Sequence, residues 1–99
     1  MPAGRAVRVV AKEYSFDPAA VVVTGAGGTA PLTFTLDNRG TLAHNLRVVR
    51  EGRELGGTPT FQGGRRASGT VRLAPGRYQL VCTVGDHAQL GMKGSLEVR

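Results

Sequence analysis

The stretch "RYQLVCTVGDHAQLGMKGSLEVR", residues 77 to 99, holds two alternating runs and the segment that joins them. In the first run Tyr78, Leu80 and Cys82 fall on one face. In the second, Leu96 and Val98 flank Glu97. A period of two marks a strand with one buried face. The pair therefore reads as two strands joined by a hairpin-like loop. That loop gathers rare side chains: the single cysteine, Cys82, one of the two histidines, His87, and the one internal methionine, Met92, fall within eleven residues.

The same alternation recurs toward the N-terminus. In "AVRVVAK", Val7, Val9 and Ala11 oppose Arg8 and Lys12. In "LTFTLDN", Leu32, Phe34 and Leu36 oppose Thr33 and Thr35, and "TVRLAPG" sets Val71 and Leu73 around Arg72. Turn signals separate the runs: Asp17-Pro18, residues 25–28, Asn38-Arg39-Gly40, Gly56-Gly57, Gly63-Gly64 and Pro75-Gly76. No segment carries a helical period. The pattern predicts an all-β chain, a Greek-key β-sandwich of seven to eight strands. Residues 51 to 66 are the least regular part and read as a long surface loop with one irregular strand near Phe61. Tyr78 and Phe16 read as core.

With 99 residues the chain reads as one domain, 1–99. A domain of that size buries roughly two thirds of the surface its unfolded chain exposes, so it can build a core without staples. One cysteine permits no disulfide within the chain. No apolar run approaches the roughly 18 residues of a membrane span. The start "MPAGRAVRVV" lacks the apolar segment of a signal peptide.

The net charge is +6, from thirteen Lys and Arg against seven Asp and Glu. These arginines are dispersed, with Arg65-Arg66 the only adjacent pair, and there is no Trp. A base-stacking platform is therefore not expected, and nucleic acid is not the expected partner. The charge reads as a solvated basic surface that raises encounter rates with acidic partners.

Placed on the strands, the rare residues converge. Cys82 closes one strand, Met92 precedes the next, and His87 lies between. His44, in "TLAHNLRVV", opens another strand-like run after the turn at Asn38-Arg39-Gly40. Strand ends distant in sequence meet at one pole of a sandwich. Singly, Cys82 reads as a buried thiol, His44 as a strand-end histidine, Met92 as core filler and Asn45 as a turn residue. Together they offer two imidazoles, a thiolate and a thioether. A His₂Cys set with a weak Met points to blue copper. Structural zinc sites seldom use a thioether.

Here the sequence resembles the cupredoxin family, the small type 1 (blue) copper proteins. The carriers of the resemblance are Cys82-x4-His87-x4-Met92, the His44-Asn45 pair, "YSFDPAAVVVTG" followed by "LTFTLDNRG", and the closing "GMKGSLEV". It covers nearly the whole chain. Longer-loop members often carry Pro-Gly before the loop histidine, where this chain has Gly85-Asp86, which sets a carboxylate beside His87. The turn at residues 25–30 is also longer than the family's usual one.

The resemblance implies one type 1 copper ion held by His44, Cys82, His87 and Met92. It makes Cys82 the equatorial thiolate, His44 the buried imidazole, His87 the imidazole nearer the surface and Met92 the weak axial ligand. Asn45 is expected to tie its strand to the ligand loop near Thr83, and the Ala43 carbonyl to lie opposite Met92. The implied function is a one-electron carrier, not an enzyme, cycling between Cu(I) and Cu(II). Its partners would be acidic redox proteins of the cytochrome or oxidase type, docking over Leu42, Ala88, Leu90 and Gly91. The family's setting implies a monomeric, periplasmic, extracellular or lumenal protein in mature form. A copper delivery or storage protein and a metal-free sandwich for interaction are the alternatives.

Overall fold

A computed structural model of the chain describes residues 5–24 and 31–99. The glycine-rich turn expected at 25–30 lies outside them. Nine strands are described: β1 (Arg5–Lys12), β2 (Ser15–Asp17), β3 (Ala20–Val23), β4 (Pro31–Asn38), β5 (Arg47–Arg50), β6 (Arg53–Gly57), β7 (Arg66–Arg72), β8 (Gly76–Val81) and β9 (Lys93–Val98). They form two sheets, β2-β1-β4-β7 and β3-β9-β8-β5-β6. β1 pairs with β4 in parallel, and so does β3 with β9. Parallel neighbours distant in sequence require the crossover connections of a Greek-key sandwich rather than a simple meander. Among the described residues no helix is long and apolar enough to cross a membrane.

The core lies between the sheets and follows the alternation. β4 presents Leu32, Phe34 and Leu36 inward, all fully buried, and Asn38 continues the same face. Thr33 and Thr35 face out and exchange hydroxyl hydrogen bonds with Thr70 and Ser68 of β7. The second sheet contributes Val48, Tyr78, Leu80, Leu96 and Val98. Each such large side chain taken from water contributes roughly 1.5–3 kcal/mol. Phe16 and Tyr78 are both buried. The Tyr78 hydroxyl donates to the carbonyl of Ala74 four residues upstream, a corner contact familiar in sandwiches.

The strand count exceeds the seven to eight expected, for two local reasons. The run through residues 15–23 divides at Pro18 and Ala19: β2 pairs with β1 in one sheet, β3 with β9 in the other. Residues 51–66 are not all loop. "RELGG" forms β6, which pairs with β5 across a register shift between Val48 and Val49. Its burial does not alternate, so a period of two was not there to read. Gly56 and Gly57 lie inside this strand rather than in a turn, with φ of +148° and +143°. A side chain on Gly57 would overlap the Leu46 carbonyl oxygen. The irregular pairing near Phe61 is present as a single bridge to His44.

Candidate metal centre

Three loops meet at one pole. The first follows β4. Its fully buried Asn38 donates through Nδ2 to the carbonyls of Leu42 (3.1 Å) and Phe61 (3.2 Å), and its Oδ1 accepts the N–H of Gly40 (3.0 Å). This side chain shapes the loop that delivers His44. The backbone of His44 is then fixed by a reciprocal pair of 3.1 Å hydrogen bonds with Phe61.

The second loop runs from Cys82, just past the end of β8, to Met92, just before β9. Its backbone folds on itself. Met92 N–H donates to the His87 carbonyl (3.0 Å), and Cys82 N–H donates to the Met92 carbonyl (3.1 Å). These two bonds draw the three residues toward one another. Cys82 and Met92 are fully buried, and His87 is 7% exposed against 0% for His44.

The donor atoms converge. His44 Nδ1 lies 3.2 Å from His87 Nδ1, and Cys82 Sγ lies 3.9 Å and 3.6 Å from those two nitrogens. At bond lengths of about 2.0–2.1 Å to nitrogen and 2.3 Å to thiolate, three donors around one ion stand roughly 3.5–3.8 Å apart. The observed spacing fits a single first-row ion. Among the described residues this is the one group of three such donors within mutual reach. Burial pushes the His44 imidazole below its ordinary pKa, and the neighbouring His87 adds to the effect. A neutral ring is the form that binds a metal. With Met92, fully buried and tied through its backbone to His87 and Cys82, the residue set is that of a type 1 copper centre.

Asn45 bridges the two ligand segments. Its Nδ2 donates to the hydroxyls of Thr83 and Thr60, both at 2.8 Å, and its Oδ1 accepts the Thr83 N–H at 2.9 Å. Ala43 is half-buried between Leu42 and His44. Leu42 and Leu90 are 43% and 50% exposed, Gly91 is exposed and Ala88 half-buried.

The third loop is the one sequence reasoning missed. β1 and β4 run parallel in register, with Ala11 opposite Asn38. The residues that follow each strand therefore arrive side by side. Glu13 Oε1 accepts the N–H of Thr41 (2.6 Å), the N–H of Leu42 (2.8 Å) and the Thr41 hydroxyl (3.2 Å). The Leu42 N–H, with help from Thr41, holds its carboxyl down to about 2. The same oxygen lies 3.7 Å from His44 Nε2. The next residue, Tyr14, sits at φ +65° and sets its ring edge-on to His87, with centroids 5.2 Å apart. Nothing local in "KEYS" announces these contacts; only the strand pairing creates them.

No family model matches the sequence, and no curated protein matches it either. Solved structures do resemble it. Auracyanin B superposes with a TM-score of 0.86 at 22% identity, covering 100% of this chain and 91% of that one. The cupredoxin fold is the chain's fold. Two further structures with the cupredoxin fold agree. Dithionite-reduced auracyanin from Roseiflexus castenholzii gives a TM-score of 0.84 at 21% identity, covering 98% of each chain. An azurin from Methylomonas sp. strain J gives 0.81 at 15% identity, covering 98% of this chain and 99% of the other.

Proposed function

We propose that this chain is a type 1 copper protein that carries single electrons between redox partners. The carrying observation is the convergence of His44 Nδ1, Cys82 Sγ and His87 Nδ1 within 3.2–3.9 Å in a buried pole. His44, Cys82, His87 and Met92 would hold the ion. Copper, when bound there, supplies a one-electron couple between Cu(I) and Cu(II). The protein's part is to fix the donors. Asn45 pins the His44 segment to Thr83 beside Cys82, and the backbone bonds among Cys82, His87 and Met92 close the loop. Donors held this way need little rearrangement when the charge on the ion changes.

His87 is the imidazole nearer the surface, and Leu42, Ala88, Leu90 and Gly91, small or apolar residues close in sequence to His44 and His87, would flank this end. This end is the proposed docking face for acidic redox proteins, which the +6 charge would steer. The likeness to auracyanins and azurin supports a setting outside the cytoplasm, in a periplasm, a lumen or at a cell surface. The reading treats residues 1–99 as one domain acting as a monomer.

Spectroelectrochemistry of the copper-loaded protein tests this. The expected result is an intensely coloured oxidised form that bleaches and recovers reversibly with one electron and one copper per chain. A colourless site that exchanges Cu(I) freely would instead favour delivery or storage. Failure to take up metal would leave a sandwich used for interaction.

A further inference from the structure

We infer that Glu13 is a positioning residue of this centre: its carboxylate receives the Nε2–H of His44 when Nδ1 is given to the metal, and its negative charge favours the oxidised ion. This rests on the copper reading above. His44 directs Nδ1 toward His87 Nδ1 and Cys82 Sγ. A neutral imidazole that gives Nδ1 to a metal carries its proton on Nε2. That nitrogen is buried and has no hydrogen-bond partner among the described residues. Glu13 Oε1 stands before it at 3.7 Å, one small adjustment beyond a hydrogen bond.

The carboxylate is held in place independently of His44. Three donors from Thr41 and Leu42 converge on the same oxygen, and those residues belong to the loop that leads into His44. Gly40 leaves the room: a Cβ there would stand 2.7 Å from both carboxylate oxygens. The Glu13 side chain is 34% exposed, whereas His44 is fully enclosed. A preorganised anion thus faces the outer nitrogen of the more buried ligand. Groups that accept the outer N–H of a ligating histidine orient the ring and raise its basicity, and losing one commonly costs 10–100-fold in metal affinity.

The test is the midpoint potential of the copper-loaded protein and its Glu13→Gln variant. Gln keeps an acceptor oxygen for the Thr41 and Leu42 amides and for His44, but removes the charge. A residue that only capped the loop would leave the potential unchanged. The expected result is a variant that stays folded and coloured while its Cu(II) affinity falls about tenfold more than its Cu(I) affinity, a rise of about 59 mV. Glu54→Gln, on edge strand β6, removes the same charge elsewhere and should shift the potential by much less. Proton–nitrogen spectra of the Cu(I)-loaded wild type give a second readout independent of any variant. They should show His44 protonated at Nε2. A coloured wild type with an unshifted Glu13→Gln potential, or with His44 bound through Nε2, overturns this assignment alone. A wild type that takes up no copper overturns the copper reading with it.

Discussion

Asn45 and Thr83 clasp each other: the amide of Asn45 donates to the Thr83 hydroxyl at 2.8 Å and its carbonyl oxygen accepts the Thr83 N–H at 2.9 Å. Thirty-eight positions apart in sequence, each lies next to a donor residue, His44 and Cys82. The clasp therefore sets the spacing between donors that no single loop could fix. Asn45 is 3% exposed while Thr83 is exposed, so the clasp is sheltered from water on the Asn45 side.

Asn45→Ala should lower stability by about 1–3 kcal/mol, because the partners left behind lose a buried hydrogen-bonding group. For a domain of this size that is roughly 4–8 °C in melting temperature per kcal/mol. Thermal unfolding of the metal-free protein measures it. An unchanged midpoint would mean that the clasp carries no stability.

Backbone crowding gives a second prediction. Gly69 of β7 faces Gly57, and a Cβ on Gly69 would overlap the Gly57 carbonyl oxygen. Gly69→Ala should cost roughly 3 kcal/mol or more, as severe overpacking does. Gly64→Ala meets open space and pays only for φ of +79°, about 1–2 kcal/mol. Urea unfolding of the two variants should rank them in that order; equal costs would contradict the close approach.

Much of this was legible in the sequence, for physical reasons that differ by region. β4 and β8 bury one face against the opposite sheet, so their period of two is written plainly in Leu32, Phe34, Leu36, Tyr78 and Leu80. Cys82, His87 and Met92 were legible because the loop's chemistry is local. β6 was not, since an edge strand with a register shift has no buried face to encode. Glu13 and Tyr14 were not, since their contacts arise only from the parallel pairing of β1 with β4. Asn38 read as a turn residue, yet the β4 alternation had already aimed it inward.

Acid sensitivity should trace partly to Asp37. The Arg8 guanidinium, donating at 3.1 Å, holds its carboxyl below the usual range, and Arg39 adds to this. The folded state thus binds this proton less readily than the unfolded chain. The resulting stability is present above the unfolded value of about 3.9 and is lost as pH falls through the lower folded value. Asp37→Asn should therefore be less stable than wild type at neutral pH, with the difference closing in acid. Urea midpoints across the acid range measure it; a constant difference would contradict the assignment.

If partners dock over His87, Leu90→Glu should slow electron exchange with an acidic redox protein by placing a like charge in the apolar patch, while leaving the visible spectrum unchanged. Exchange with the wild type should slow as salt rises, since exposed charges are screened. Stopped-flow mixing at several ionic strengths measures both. A flat salt response would remove the electrostatic part of the docking proposal, and an unaffected Leu90→Glu would remove the patch.

The central claim is that Cys82 gives its thiolate to copper at the point where His44 and His87 converge. The most direct measurement is a visible absorption titration with Cu(II) of the wild type, Cys82→Ser and Met92→Leu. Serine keeps the volume but replaces the thiolate with a hydroxyl that donates poorly, whereas losing the weak thioether leaves the thiolate bond in place. The wild type should develop an intense blue band that saturates at one equivalent, Met92→Leu should remain coloured, and Cys82→Ser should stay pale even where the two imidazoles retain copper. A Cys82→Ser variant as blue as the wild type, or a wild type that binds copper without colour, would contradict the account.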